Sequence, residues 1–598
     1  RGGEREGGRG VTSPSPVTRH PSRGTRHPAP GTPAGTAVYL CHCGQNIAAT
    51  VDVEALAAEL AACPGVSVVR HYPYLCSRPG QELIRDDLRE GRAGRVVVAA
   101  CSPRMHETTF RKACAAEGVN PYLLCHVNVR EQCSWVHPDR DEATCVARDL
   151  VHMGLARVRG QEPLEGSEAP VVPAALVLGG GPAGLAAAAS LARMGLGVVL
   201  ADSSARLGGR AAALGRSFPE GGEVGPWLDE RVREVAGHPR IELLLESRLL
   251  ALSGPPGNFR ADLETPSGPA ARSVGALIVA TGSGLYRPDQ PEGGRPELGY
   301  GADPRIVTQE KLEELLRTSE GPVGTGGAPA RSVAFLQCIG SRDQSAGAAH
   351  CSRVCCMVSV RQAEEVRSRN PQASVQVLYT DLRAYARGAE EAYEAAARNG
   401  VLFRRGSASE VCRKGERLAV RFEDTLLGEA QELAADLVVL ACGARPAPDA
   451  PELGRRLRIA TGPDGFFLES HPKLRPVETA SAGVYLAGAC QGPKALDEAV
   501  ASGRAAAARA GALLLRGRID VDPAVAEVDP DRCAGCGLCA ALCPTGAAAP
   551  VAHTGRMAVE PTLCQGCGAC AAACPSKAAS LRHHRAGQVL AELGAACG

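Results

Sequence analysis

Ala175-Leu-Val-Leu-Gly-Gly-Gly-Pro-Ala-Gly-Leu185 is a short apolar run closed by Gly179-x-Gly181-x-x-Gly184 and followed by the Ala-rich segment Ala186–Met194. That order reads as a buried parallel strand, a tight turn and a helix. The first glycine permits the turn, and the second lets backbone approach a pyrophosphate. The third lets helix and strand pack closely, with Pro182 and Ala183 opening a helix whose N-terminus faces phosphate charge. The next apolar run, Gly197–Ala201, ends at Asp202 and Ser203, about 20 residues on, where an acid accepts from a ribose hydroxyl. A dinucleotide binds here; these residues alone leave its identity open.

The surrounding chain of 598 residues is long enough for roughly three to five domains. A hydrophobic share of 44% suits globular structure, and a formal charge of +1 with 3% aromatics argues against nucleic acid as a partner. Gly residues and Arg193 interrupt the most apolar region, Val171–Ala201, so no integral membrane span is expected. Residues 1–35 are rich in Pro, Arg, Ser and Gly without an apolar core, and read as a disordered tail. The 25 cysteines, many in Cys-x-x-Cys spacing, point to metal ligation in a reducing cytoplasm rather than to disulfides.

Residues 36–161 alternate strand-like runs (Ala37–Leu40, Val66–Val69, Arg95–Ala100, Tyr122–Val129) with helical patterns (Val53–Ala62, Gln81–Glu90, His106–Glu117), a small α/β unit with a parallel sheet. Cysteines follow the runs, and loops at the carboxyl ends of parallel strands converge on one edge. Cys43, Cys76, Cys101 and Cys133 are therefore the favoured ligands of one iron–sulfur cluster. The alternatives are plain packing, expected for Cys63, Cys114 and Cys145, and zinc at Cys41-His42-Cys43, which adjacent ligands disfavour.

Downstream, Leu207-Gly208-Gly209-Arg210 permits a second close backbone approach to the dinucleotide, and Ala276–Ala280-Thr281-Gly282 is a buried strand ending in a small-residue turn. Gly483-Val-Tyr-Leu-Ala-Gly488-Ala489-Cys-Gln-Gly492 is another, leading into a helix over Ala495–Leu515. A second nucleotide domain would open strand-Gly-x-Gly-x-x-Gly, but Ser332-Val-Ala-Phe-Leu-Gln-Cys-Ile-Gly-Ser-Arg342 keeps the strand and loses the glycines. Direct NAD(P)H oxidation is thereby disfavoured. In their place come Cys338 and Cys351-x3-Cys355-Cys356, four thiols sufficient for one [4Fe–4S] cluster. A dithiol–disulfide pair at Cys355–Cys356 is the rival reading, weakened by the strained ring it needs. Cys442 and Cys490 read as packing residues.

Cys533-x2-Cys536-x2-Cys539-x3-Cys543-Pro recurs as Cys564-x2-Cys567-x2-Cys570-x3-Cys574-Pro, the bacterial two-cluster ferredoxin spacing. The fourth cysteine of each run ligates the other cluster. One cluster then takes Cys533, Cys536, Cys539 and Cys574, and the other Cys564, Cys567, Cys570 and Cys543. A zinc ribbon has no use for the third and fourth cysteines.

Val38-Tyr-Leu-Cys-His-Cys-Gly44, Ala99-Ala-Cys-Ser-Pro-Arg-Met-His-Glu107, Arg130-Glu-Gln-Cys-Ser-Trp-Val-His137, Gln337–Asp343, Cys351–Met357 and Ala487–Lys494 resemble the family of A-type heterodisulfide reductase subunits over roughly residues 36–598. The flavin segments also resemble thioredoxin-reductase-like flavoproteins, whose chain leaves for a second domain and returns to finish the FAD site. The resemblance implies FAD at Gly179–Gly184, one [4Fe–4S] cluster at Cys338–Cys356, one in the first domain, and two in the ferredoxin end. It implies Lys494 tuning the isoalloxazine, a solvent-exposed lysine being the alternative, and the final helix aiming its N-terminus at the ring. The implied partners are B- and C-type subunits and a donor such as a hydrogenase, formate dehydrogenase or ferredoxin, around a homodimer core in the cytoplasm. Heterodisulfide chemistry belongs in the family to a separate polypeptide, and some relatives bifurcate electrons. Methanogen versions carry an extra ferredoxin insert, yet no cysteine occurs between Leu285 and Arg331. That departure leaves room for simple relay, as in related quinone-interacting oxidoreductase subunits.

The expected class is α/β: a two-domain Rossmann-like flavoprotein preceded by a small α/β domain and followed by an α+β ferredoxin domain. The expected boundaries are 36–161 for the first domain, 172–330 and 447–518 for the two parts of the FAD domain, 331–446 for the degenerate nucleotide domain, and 522–585 for the ferredoxin. The expected function is an oxidoreductase passing electrons between FAD and clusters within a complex. Its rivals are an NAD(P)H-dependent disulfide reductase and a non-catalytic scaffold.

Overall fold

The computed structural model describes residues 35–596, apart from 220, 291–296, 326–327 and 345–346, so the expected tail lies almost wholly outside the described residues. Two compact units emerge, one combining residues up to Ala169 with those from Asp520 onward, the other spanning Pro170–Ile519.

In the first unit, Thr36–Cys41, Val66–Tyr72, Arg95–Ala100 and Leu124–Asn128 form a parallel sheet in the spatial order second, first, third, fourth. The two central strands are apolar and almost wholly buried on both faces, as parallel strands covered by helices on either side must be. Order reverses between the first and third strands, which opens a crevice at their carboxyl ends. Cys41 ends the first strand, and Cys43 and Cys101 come from the loops flanking that crevice. The fourth strand begins two residues later than expected, at Leu124, because Tyr122 turns under an Asn120 side-chain bond. The helix Arg140–Arg159 closes one face. Its C-terminal part meets the carboxyl end of the chain, where Arg157 donates to His584 and Gln588 donates to Gly160 O. Cys145, expected to pack, is exposed on that helix.

The ferredoxin part consists of two antiparallel strand pairs, Ala526–Val528 with Ala579–Leu581 and Ala548–Pro550 with Met557–Val559, and two one-turn helices, Leu538–Leu542 and Ala569–Ala573.

The second unit carries a five-stranded parallel sheet in the order Val484–Leu486, Ala276–Val279, Ala174–Leu178, Gly197–Ala201, Ile241–Leu244. Beside it, a seven-stranded sheet runs Ile306–Thr308, Leu437–Cys442, Ser332–Ile339, Ser374–Tyr379, Val401–Lys414, Arg417–Asp424, Glu429–Ala435. The chain leaves the first sheet after Ser283–Leu285, which pairs antiparallel with Ala444–Pro446 on the way back. Helix Pro182–Arg193 packs on Leu496–Arg516 with almost no side chain between them: a Cβ on Gly503 would fall 2.2 Å from Ala183 O. That close approach fixes the helix starts at one end of the sheet. No described helix is long and apolar enough to cross a membrane.

Candidate cofactor-binding and electron-transfer site

A cavity of about 750 Å³ in the second unit is walled on one side by Gly179, Gly181, Pro182, Ala183, Asp202, Ser203, Gly209 and Arg210. Ala280, Thr281, Gly282, Ala489 and Lys494 complete that side. Gly179 has φ +103°, and a Cβ there would stand 2.4 Å from Ala280 O. Gly181 faces open space, its nearest neighbour being Gly209 Cα at 3.9 Å from an added Cβ. The N–H groups that open helix Pro182–Arg193 therefore stand free toward the cavity, as a pyrophosphate requires. Gly184, Gly208 and Gly488 serve packing and turns instead: Gly184 lies against Gly179 O, Gly208 N–H bonds Gly180 O, and Gly488 N–H bonds Ser502 Oγ. Asp202 Oδ2 accepts from Gly180 N–H at 2.5 Å and Oδ1 from Ser204 N–H at 2.7 Å. Each oxygen keeps a lone pair for a ribose hydroxyl. Cavity size, open helix start and acid together fit an FAD. When bound, FAD supplies a carrier that takes electrons in pairs and releases them singly.

The opposite wall is the cysteine segment, and Ser352, Val354, Cys355 and Met357 line the same cavity. Where a nucleotide-binding glycine turn would lie, Gly340 has φ +63°, and a Cβ on it would fall 2.1 Å from Tyr286 Cγ. The Tyr286 ring thus packs directly on the turn where a nucleotide-binding glycine would lie. Gln337 is drawn inward, donating to Ser359 Oγ at 2.5 Å, beside Gln309, which donates to the same hydroxyl at 2.7 Å.

Cys338, Cys351, Cys355 and Cys356 lie within electrostatic reach of one another. Cys355 and Cys356 open the helix Cys355–Arg369 and share a hydrogen bond. That bond, then burial, pushes the Cys355 thiol up; the same bond pulls Cys356 down, aided by Arg383 and Arg342. Burial, with the neighbouring Cys356, pushes Cys338 to about 11. The donor set fits one [4Fe–4S] cluster. Lys494 is half-buried in the cavity wall rather than out in solvent, and burial lowers its pKa.

In the first unit, Cys41, Cys43, Cys76 and Cys101 influence one another's charge. Burial raises Cys101 to about 12, opposed by Arg130. The Arg130 guanidinium donates to Cys43 Sγ at 3.1 Å and stacks on Trp135 at 4.7 Å. Cys133 is not brought into this group. Wholly buried, it donates to Ala143 O at 3.1 Å, on the side of helix Arg140–Arg159. The reason is topological: its loop follows the edge strand, two strands from the Cys43 loop.

At the ferredoxin end, a small cavity is lined by Cys543 together with Cys564, Cys567 and Cys570, the crossed arrangement. Cys533, Cys536 and Cys539 form the other group by mutual influence. N–H groups point at the sulfurs in matching pairs: Met557 to Cys533 and Ala526 to Cys564, each at 3.4 Å, and Ala547 to Cys543 at 3.1 Å with Ala579 to Cys574 at 3.4 Å. No three His, Cys, Asp or Glu side chains among the described residues are arranged around a single ion. A cubane spreads its thiolates over four iron corners, so it does not need that arrangement.

Sequence reasoning left Cys41 out of the favoured ligand set and did not single out Arg130, Arg353 or Tyr286. Loop arginines carry no periodicity. The available signal was their place beside or between cysteines, in Arg130-Glu-Gln-Cys and Cys-Ser-Arg353-Val-Cys.

Among known proteins, a "4Fe-4S dicluster domain" family matches residues 526–575 and an "NAD(P)-binding Rossmann-like domain" family matches residues 177–223. The chain is 38% identical to the second A-type iron-sulfur subunit of CoB–CoM heterodisulfide reductase from Methanopyrus kandleri, over 87% of this chain and 92% of that one. It is 36% identical to the A-type subunit of H2:CoB-CoM heterodisulfide,ferredoxin reductase from Methanothermobacter marburgensis, over 85% and 90%. A solved thioredoxin reductase of T. acidophilum is 15% identical, covering 57% of this chain and 98% of that one with a TM-score of 0.40.

Proposed function

The chain belongs to the family of A-type heterodisulfide reductase subunits, an oxidoreductase with an FAD-binding Rossmann domain and a 4Fe-4S dicluster domain, and from that premise we propose its circuit. FAD occupies the cavity at Gly179–Gly184, and the Cys338–Cys356 group holds a [4Fe–4S] cluster on the opposite wall. Two further clusters occupy the ferredoxin end, and a fourth occupies the first domain, held by Cys41, Cys43, Cys76 and Cys101. The single observation carrying this reading is that Cys355 and Gly181 border one cavity. An electron leaving the flavin site then has a thiolate-held acceptor at the cavity wall.

The chain's own residues bind and orient. The open N–H groups of Gly181 and Ala183 hold phosphate charge, and Asp202 fixes the ribose. Lys494, only partly desolvated, sets a positive charge at the cavity wall. Tyr286 and the lost glycines close the usual NAD(P)H entry. Electrons therefore enter through protein partners, proposed to be B- and C-type subunits and a hydrogenase, formate dehydrogenase or ferredoxin. Cofactors of this kind survive in a reducing compartment, which favours the cytoplasm, and a homodimer core is part of the proposal. With no cysteine between Leu285 and Arg331, relay is favoured over bifurcation.

Anaerobic purification with iron, sulfide and flavin analysis tests this reading. About 16 iron atoms and one FAD per chain are expected; about eight iron atoms would confine clusters to the ferredoxin end and refute both other sites.

A further inference from the structure

We infer that Arg353 is a positioning residue that mechanically and electrostatically joins the Cys338–Cys356 group to the flavin-side start of helix Leu496–Arg516. The inference rests on the cluster reading above and names the connection that reading leaves open.

Arg353 lies between Cys351 and Cys355 with φ +58°, a left-handed conformation that residues with a Cβ adopt only when held there. It is held at both ends. Its backbone N–H donates to Cys351 Sγ at 3.3 Å. Its guanidinium donates through Nη1 to Pro493 O at 3.0 Å and through Nη2 to Glu498 Oε1 at 2.8 Å. The same guanidinium stacks over the Tyr385 ring at 4.7 Å. Glu498 in turn takes the Ala495 N–H on Oε2 at 2.9 Å, which sets where the helix begins. Pro493, Lys494, Ala495 and Tyr385 all line the flavin cavity.

One residue thus touches a ligand sulfur with its backbone and sets the flavin-side helix start with its side chain. Two consequences follow. Hydrogen bonds to cluster sulfurs and nearby positive charge both favour the reduced cluster. On the flavin side, the guanidinium neutralises Glu498, whose carboxylate would otherwise oppose negative charge arriving in the cavity. Lysine keeps the charge but lacks the rigid planar fork that holds Pro493 O and Glu498 in one geometry.

The test is a redox titration of the full chain, reading flavin absorbance and the EPR signal that Cys355→Ala removes. Arg353→Ala is expected to move both midpoints to lower potential at unchanged iron and FAD content, with Arg353→Lys restoring most of the cluster shift and less of the flavin shift. Glu498→Gln is expected to raise the flavin midpoint while leaving the cluster near wild type, and it serves also if Arg353→Ala loses its iron. Midpoints unmoved in Arg353→Ala, or a flavin midpoint unmoved in Glu498→Gln, overturn the inference. A wild-type chain lacking the Cys355-dependent signal overturns the cluster reading as well.

Discussion

Arg130 Nη1 stands 3.1 Å from Cys43 Sγ, although 87 residues separate them in sequence. The contact marks the crevice between the first and third strands as the place where cysteine sulfurs of the first domain meet a cation. Cys133, only three residues beyond Arg130, faces the other way. Cys41→Ser is therefore expected to lower iron content by about four atoms per chain, and Cys133→Ser to leave it unchanged. Iron analysis of the two variants checks this. Loss in Cys133→Ser with retention in Cys41→Ser would restore the ligand set expected from sequence.

Gly181 and Gly184 belong to one motif but act differently, and substitution separates them. A Cβ on Gly184 would stand 1.8 Å from Gly179 O, whereas on Gly181 it meets nothing closer than 3.9 Å. Gly184→Ala should destabilise the fold by about 1–3 kcal/mol or more, through forced backbone shift. Gly181→Ala should leave thermal stability of the flavin-free chain unchanged while weakening FAD binding at least about tenfold, because its methyl enters the phosphate path. Melting curves and flavin titrations of both variants decide the matter.

The Tyr286 ring over Gly340 predicts that NADH or NADPH alone will not bleach the bound flavin, while a low-potential chemical reductant will. Bleaching by NADH without partners would instead favour a self-sufficient disulfide reductase.

Burial holds His126 neutral, with its pKa lowered to about 4 against the Phe110 ring at 5.2 Å. A histidine depressed on folding binds more protons when unfolded, so its contribution is full above about pH 6.5. It is lost as pH falls toward 4, by at most about 3 kcal/mol. His126→Gln should flatten the stability slope in that window relative to wild type. Denaturant unfolding at pH 4.5, 5.5 and 7 measures the difference, and parallel slopes would contradict it.

Signals carried by neighbours in sequence were legible. The strand–glycine–helix run at Ala174–Arg193 and the doubled ferredoxin spacing each declare their structure within a few dozen residues, because turn geometry and cluster ligation are local demands. The replacement of glycines at Gln337–Gly340 was equally readable. What depended on strand order was not. The order second, first, third, fourth places Cys41 at the crevice and sends Cys133 to the sheet edge. The loops themselves look alike in sequence. Arg353 was hidden for a related reason: it sits inside the cysteine motif, but its partner Glu498 lies 145 residues away and nothing local pairs the two. Tyr286, which packs on Gly340 in the lost nucleotide turn, directly follows the connecting strand Ser283–Leu285 and carries no local cue.

The central claim is that the flavin cavity and the Cys338–Cys356 group form one electron-transfer unit. Stepwise anaerobic reduction of wild type and Cys355→Ala, followed at once by flavin absorbance and EPR, tests it most directly. The account predicts that Cys355→Ala keeps FAD and the ferredoxin signals, loses one cluster and about four iron atoms, and slows the exchange of electrons out of the flavin. Unchanged iron, unchanged EPR and unchanged exchange in that variant would contradict it.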